Sequence, residues 1–456
     1  MKFGCVRGFI RSTVLLSVLL MPLDAVEAQS ENEGRRFPNI LVVSVDTLRY
    51  DRLSINGYGR PTSPHIDNLL RKGVRFEQAR TPEPLTAPAM ISVFTSLHPH
   101  EHGASRNGLR MRPGLPSWPS VLEDRGYKVS AFVGNWTLRD EISGLGEHFS
   151  QYEEVLNRKR WGIFLGEATA GDLNKRGIAW LDRHIEKDGD WPFLLWMHYV
   201  EPHAPYRFRA RMAPALGIKE RDKKSDRYDT EVAYVDRAIG HLLSEVYMRV
   251  SSRDLMVIFM ADHGESLGEH DYWGHGRNLY DETLRVPMGL VWEGKLPADR
   301  VVKESASLLD IGPTVFGLVG LPVPMAFQGE SWADHLISGA EISGDRVTFH
   351  QAHKGAVQRR KNNSNARKSG LLEVGWVRGP EKEVLTVKDE PHTRELFNLA
   401  EDPQELNNKA ASSEPTQRLL EWLEKVRAGL EASDELPPPS LDEESMEQLR
   451  ALGYID

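Results

Sequence analysis

Asp46 closes the run NILVVSVD, and Asp262-His263 closes the run LMVIFMADH. In both places a stretch of buried-type residues ends in side chains that bind divalent metals well. Between them lies Pro84-Leu85-Thr86-Ala87-Pro88, which places a hydroxyl where a helix should begin. Two carboxylates, an imidazole and a nucleophile-type hydroxyl point to metal-assisted attack on a phosphate or sulfate ester. Taken alone, Asp262-His263 also fits a capping aspartate beside a solvated histidine. Side by side after a strand, however, the two can reach one cation, and Asp46 at another strand end supplies a third ligand.

Thr86 has two readings as well. Pro88 suits the first turn of a helix, because its absent N–H would be unpaired there anyway. Thr86 then lies at or just before the helix N-terminus, where threonine is a common cap. The same geometry serves catalysis. Free N–H groups and the positive end of the helix dipole stabilise an alkoxide and an incoming oxyanion. A metal beside the hydroxyl lowers its pKa and makes it a nucleophile.

The elements that must position these groups are legible in outline. Residues 39–45 are continuously apolar, the pattern of a strand covered on both faces. Ser63-Pro64 opens a helix that Gly73 closes. Residues 129–133, 192–200 and 255–260 read as further buried strands, and about 226–250 as an amphipathic helix with Val232, Val235, Ile239, Leu242 and Leu243 on one face. Alternating strands and helices predict an α/β fold with a largely parallel central sheet flanked by helices. Open sheets of this kind place their sites at the carboxyl ends of the strands. Asp46, Asp262-His263, His198 and His203 all fall at or beyond such ends.

The 456 residues suggest about two or three domains. We expect a signal peptide at 1–28, a linker at 29–37, a catalytic α/β domain at 38–340 and a smaller C-terminal α+β domain at 341–456. The signal rests on Lys2, Arg7 and Arg11, the apolar run Thr13 to Met21, and the small-residue pattern Val26-Glu27-Ala28. The run is short for a membrane span, so cleavage is expected rather than a retained anchor. Export, to periplasm or medium, follows. In the C-terminal part, residues 371–387 alternate like antiparallel strands, and Pro437-Pro438-Pro439 separates two helices. Residues 354–368 carry six basic and no acidic residues, which fits a solvated loop or a flexible surface for an anionic substrate. A net charge of −9 argues against nucleic-acid binding through bulk charge. The only cysteine, Cys5, lies within the expected signal. The exported chain would therefore have no disulfide, no cysteine nucleophile and no thiolate metal site.

The chain resembles the sulfatase family of the alkaline phosphatase superfamily. The matching stretches are NILVVSVDTLR, PEPLTAPAMISVFTSLHPHEHG, HYVEPHAPY, ADHGESLGEH, LYDETLRVPM and ELFNLAEDPQELNN. The resemblance implies a mixed sheet between helices and a small C-terminal antiparallel sheet. The departures matter equally. Sulfatases of the main type oxidise a cysteine or serine to formylglycine, two residues before a proline and four before an arginine. Here those positions are Thr86, Pro88 and Met90, so no formylglycine is expected. The family's sulfate-cradling Gly-Lys-Trp-His appears as Gly134-Asn135-Trp136-Thr137. Its second metal-binding aspartate is Thr47, and His275-Gly276 stands where a lysine is expected.

A direct threonine nucleophile is similar to that of phosphodiesterases and phosphoethanolamine transferases in the same superfamily. What that implies is a metal held by Asp46, Thr86, Asp262 and His263. An imidazole ligand favours zinc or manganese, with calcium as the alternative. His203, on a rigid Pro-His-Ala-Pro loop, and His275, in a Gly-flanked loop, are expected at a second metal, at the substrate, or as proton donors to the leaving oxygen. Asn135 is expected to donate a hydrogen bond to an ester oxygen. His198 fits a core or a site equally, and His98, His100 and His102 fit solvent or packing.

The activity expected is hydrolysis of a small-molecule, glycan or lipid ester through a threonine nucleophile. Phosphate is favoured over sulfate on chemical grounds, because sulfate carries less charge and gains less from a metal. The alternatives are a sulfuric ester hydrolase, as the family name implies, a phosphoethanolamine-type transferase, or an inactive glycan-binding homologue. The transferases usually carry several membrane spans ahead of the catalytic domain, and the intact Asp46, Thr86, Asp262, His263 quartet argues against inactivity. Substrate identity and oligomeric state carry no signal in the sequence.

Overall fold

The computed structural model describes residue 1 and residues 37–160, 164–189, 191–219, 221–340, 342, 346–355, 370–388, 391–410 and 414–433. The expected signal peptide, most of the linker, most of the basic 354–368 stretch and the Pro437–Pro439 region lie outside the described residues.

A continuous apolar run can be buried on both faces only if it is central in a sheet. Asn39–Val45 is such a strand, with Ile40 to Val45 fully enclosed. It pairs in parallel with Phe193–Tyr199 on one side and Leu255–Ala261 on the other. The whole sheet has eight strands in the order Arg300–Ser307, Val74–Arg80, Met288–Val291, Leu255–Ala261, Asn39–Val45, Phe193–Tyr199, Lys128–Val133 and Gln151–Glu154. Met288–Val291 alone runs antiparallel to its neighbours. Sequence pattern does not single out the strands on that side of the sheet. Val74–Arg80 alternates polar with apolar residues, and Met288–Val291 is short.

Helices cover both faces. The long helix Lys224–Tyr247 buries Val232, Val235, Ile239, Leu242 and Leu243, the stripe its periodicity predicts. The helix Thr86–Thr95 is enclosed along its whole length. Its Phe94 ring lies 4.6 Å from Trp196 of the sheet, and the Trp118 indole donates to the Val93 carbonyl at 3.0 Å. These contacts hold the helix against the sheet and so fix where its first residue sits.

The smaller C-terminal sheet is antiparallel, with Val347–His353, Leu371–Arg378, Glu381–Thr386 and Thr393–Asn398 in sequence order. The helix Gln417–Ser433 packs Leu419, Trp422, Leu423 and Val426 against Val374, Trp376 and Leu385. The edge strand reaches back to the loop after Val74–Arg80: His353 pairs with Glu83 at 3.0 Å, and Gln351 N–H donates to the Pro82 carbonyl at 3.0 Å. The predicted fold class is the observed one. Among the described residues no helix is long and apolar enough to cross a membrane.

Candidate functional site

Strand register brings the two aspartates together. Val45 is opposite Ala261 in the parallel pairing, so Asp46 and Asp262 leave the sheet side by side at its carboxyl edge. Thr47 then adopts φ 56°, and this left-handed turn aims its N–H at Asp262 Oδ1, 3.1 Å away. The His263 N–H reaches the same oxygen at 2.7 Å. Asp262 Oδ1 is therefore satisfied twice, while Oδ2 has no hydrogen-bond partner. Asp46 is divided in the same way. Its Oδ2 accepts from the Asn135 amide nitrogen, and its Oδ1 has no partner. Both side chains are fully buried.

His263 faces these two orphaned oxygens. Its Nδ1–H donates to the Gly264 carbonyl at 2.9 Å, which leaves the lone pair on Nε2. That nitrogen lies 3.8 Å from Asp46 Oδ1, 3.7 Å from Asp262 Oδ2 and 3.4 Å from Thr86 Oγ1. Only glycine fits at position 264, because a Cβ there would stand 2.1 Å from the Glu282 carbonyl oxygen. The ligand atoms of Asp46, Asp262 and His263 all fall within 4.8 Å of one another.

The electrostatics call for a cation. Burial, then the adjacent Asp46 charge, push the Asp262 carboxyl well above the usual range. Burial also works against ionising Asp46, but the neighbouring imidazoles, His203 foremost, outweigh it and hold that carboxyl low. Burial first, then His275, keep His263 well below its ordinary value, so its imidazole is neutral. Two buried carboxylates with one open oxygen each, beside a neutral imidazole nitrogen, make a donor set suited to one divalent ion. The residues present fit the implied metal.

Thr86 is the first residue of its helix, and Leu85 occupies the capping position. The N–H next along, that of Ala87, is capped from outside by Asn107 Oδ1 at 3.0 Å. The Thr86 hydroxyl does no capping and turns to His263, so the simple cap reading does not describe it. Asn107 is a residue that the sequence did not reveal. Its amide oxygen is held by Ala87, and its buried amide nitrogen has no partner. An unpaired buried donor thus belongs to the residue that caps the helix of Thr86. A lone asparagine in a loop carries no spacing signal.

The remaining expected residues divide. His275 is brought to the site: its Nδ1 donates to Glu265 Oε1 at 3.0 Å, and its ring lies 4.4 Å from His263 and 5.2 Å from His203. Gly276, at φ 86°, lets this loop press on the start of the Thr86 helix. A Cβ there would stand 2.6 Å from Leu85 Cδ2. His203 donates from Nδ1 to the Ala204 carbonyl at 2.6 Å. Asn135 is at the site in a different capacity from the one expected. Its nitrogen supports Asp46, and its oxygen accepts from Thr137 N–H at 2.9 Å, so it braces a carboxylate. His198 is fully buried behind Asp46, with Nε2 3.9 Å from Oδ2. His102 belongs to the packing. Its Nδ1 accepts from Ala104 N–H, so Nε2–H faces the Pro88 carbonyl and Ser92 of the Thr86 helix. His100 bonds Gln351 of the C-terminal sheet, and His98 caps the short helix Pro99–His102.

Comparison with known proteins agrees with this fold. Residues 38–321 match the family model described as Sulfatase, and residues 268–429 match one described as N-sulphoglucosamine sulphohydrolase, C-terminal. The chain is 24% identical to the ulvan-active sulfatase of Formosa agariphila, over 76% of its own length and 73% of that protein. Its fold is similar to that of the phosphonate monoester hydrolase of Agrobacterium radiobacter, with TM-score 0.64 and 20% identity over 87% of this chain and 96% of that one. A solved complex with the substrate D-glucosamine-2-N,6-O-disulfate is equally similar in fold, with TM-score 0.66 and 17% identity over 89% of this chain and 100% of the other.

Proposed function

The chain belongs to the sulfatase family of ester hydrolases within the alkaline phosphatase superfamily, and from that premise we propose that it is an exported, metal-dependent hydrolase that cleaves phosphate esters through Thr86. The observation that carries the proposal is the Thr86 hydroxyl 3.4 Å from His263 Nε2, beside two buried carboxylate oxygens without partners. Asp46, Asp262, His263 and Thr86 would hold a divalent ion, zinc or manganese by its donor set, which would lower the pKa of the Thr86 hydroxyl and offset charge on the ester.

The chain's own residues account for the rest. The Thr86 oxygen bonds to phosphorus in line as the ester oxygen departs. The helix N-terminus and the Asn107 amide nitrogen stabilise the non-reacting oxygens. The departing oxygen takes one proton from His275, oriented by Glu265, or from His203, whichever ring carries a proton on both nitrogens. Water then cleaves the phospho-threonine and restores the hydroxyl. The same steps serve a sulfate ester, and the family match with the ulvan-active sulfatase supports that second reading. Threonine cannot give the aldehyde of formylglycine, which supports the phosphate reading. Export is supported by the basic, apolar and small-residue order of residues 1–28.

The test is a panel of chromogenic phosphate monoesters, phosphate diesters and sulfate esters, run with metal analysis on wild type and Thr86→Ala. Phosphoester turnover lost in the variant, with an acid-stable adduct mapped by mass spectrometry to the Thr86 peptide, is the expected result. Sulfate turnover alone would replace phosphate by sulfate. Turnover that survives Thr86→Ala would remove the nucleophile assignment. Bound metal with no turnover on any ester would favour a binding protein.

A further inference from the structure

Behind Asp46 lies a chain of buried polar groups that the proposed reaction does not use. Ser44 and His198 are direct cross-strand partners in the parallel pairing. Trp196, two residues before His198, points to the same face. The three side chains are fully buried. The Trp196 indole N–H donates to Ser44 Oγ at 2.8 Å, and Ser44 Oγ lies 2.8 Å from His198 Nδ1.

The donor inventory settles where the protons are. An indole nitrogen can only donate, so the serine oxygen accepts from Trp196. The serine then has one proton of its own, and His198 Nδ1 is the acceptor facing it. If Nδ1 carried the ring proton instead, the serine hydroxyl proton would be stranded in the core. A bare Nδ1 pairs both the indole and the serine proton and puts the ring proton on Nε2, which has no hydrogen-bond partner of its own. That Nε2–H faces Asp46 Oδ2 across 3.9 Å, too long for a hydrogen bond but close enough for the N–H dipole to act on the carboxylate. Asn135 donates to the same oxygen. Both positive groups thus fall on Oδ2, and Oδ1 is the oxygen left facing His263 and Asp262.

We propose that His198 is a positioning residue: Ser44 and Trp196 hold it as the Nε2–H tautomer, and it biases Asp46 to present Oδ1 alone to the metal. The inference rests on the metal-site reading above. It extends that reading to a structural link, because Trp196 also packs 4.6 Å from Phe94 of the nucleophile helix. One tryptophan thereby touches the helix that carries Thr86 and, through Ser44 and His198, orients a metal-binding carboxylate.

Two measurements test it. In full-length protein labelled with 15N-histidine, long-range proton–nitrogen correlation reads the tautomer directly, with His198 assigned by its loss in His198→Gln. A protonated Nε2 and a bare Nδ1 are expected, and a protonated Nδ1 overturns the proposal. Titration calorimetry of zinc and manganese into metal-free protein gives the second readout. Ser44→Ala releases Nδ1 and should weaken metal binding about 10-fold, as outer-layer partners of metal ligands commonly do. Ser44→Thr, which keeps the hydroxyl, should stay within about 2-fold. Affinity unchanged in Ser44→Ala overturns the positioning role while leaving the metal site intact. A wild type that binds neither metal overturns the metal reading itself, and the tautomer measurement then still decides how His198 is held.

Discussion

Thr86 Oγ1 and His263 Nε2 lie 3.4 Å apart although 177 residues separate them in the chain. The hydroxyl comes from the start of an enclosed helix and the imidazole from the carboxyl edge of the sheet. Neither atom is taken by a structural duty. The helix start is capped by Asn107, and the other nitrogen of His263 is held by its neighbour's carbonyl.

Replacing Thr86 by alanine should therefore separate activity from stability. Loss of the nucleophile should lower kcat by at least about 10^3-fold. Unfolding free energy should change by less than about 1 kcal/mol, because no capping bond is lost. Kinetics on the ester panel and urea denaturation of the same preparations check both. A stability loss near 2 kcal/mol would mean that the hydroxyl caps the helix after all.

Asp262→Asn should act in opposite directions with and without metal. In metal-free protein the substitution removes a buried carboxyl whose ionisation the fold opposes, and keeps an oxygen to accept from Thr47 and His263. Unfolding free energy should rise by about 1 kcal/mol or more. With zinc at a thousandfold excess over its Kd, wild type should gain about 4 kcal/mol and the variant clearly less. Thermal unfolding with chelator and with added metal should show the two melting curves exchange order.

Asn107→Asp keeps the acceptor for Ala87 N–H and turns the neighbouring donor into an acceptor. A negative oxygen at a helix N-terminus is well tolerated, so the fold should hold. Transition-state stabilisation should fall by about 10^2–10^3-fold in kcat. Full activity in this variant would show that the Asn107 amide nitrogen never meets the substrate.

Acid should loosen the junction between the nucleophile helix and the C-terminal sheet. Burial pushes His102 and His350 down to about 3 and His100 down to about 4. In the unfolded chain each takes up its proton near pH 6.5, whereas in the folded chain each stays neutral to well below that. The stability they contribute is complete above pH 6.5 and is lost as pH falls toward 4 and then 3. Each should add about 1.4 kcal/mol per pH unit to the slope in that window. Urea denaturation from pH 7 to 4.5 should show His102→Gln with a slope lower by about one proton's worth. An unchanged slope would mean that His102 is charged in the folded protein.

Asp46, Asp262 and His263 were legible because parallel strands buried on both faces have a pattern of their own, and sites in such sheets gather at the carboxyl ends. Thr86 was legible through Pro88, which marks a first helical turn. The flanking strands Val74–Arg80 and Met288–Val291 were not, since alternation and shortness leave nothing distinctive. Asn135 was expected at an ester oxygen because its position was known and its direction was not. Asn107 gave no local sign at all.

By itself the sequence determined the kind of fold, the strand ends that carry Asp46, Asp262 and His263 and the start of the Thr86 helix, since each depends on periodicity or on one residue's backbone limits. Only the tertiary structure decided which oxygen of each aspartate is open, which nitrogen of His263 faces Thr86 and which amide caps the helix of Thr86. Those outcomes depend on register between strands more than 150 residues apart, such as Ser44 with His198, and on donors that can be counted only once such partners meet. Local pattern states how often a residue faces the core; it does not state what waits there.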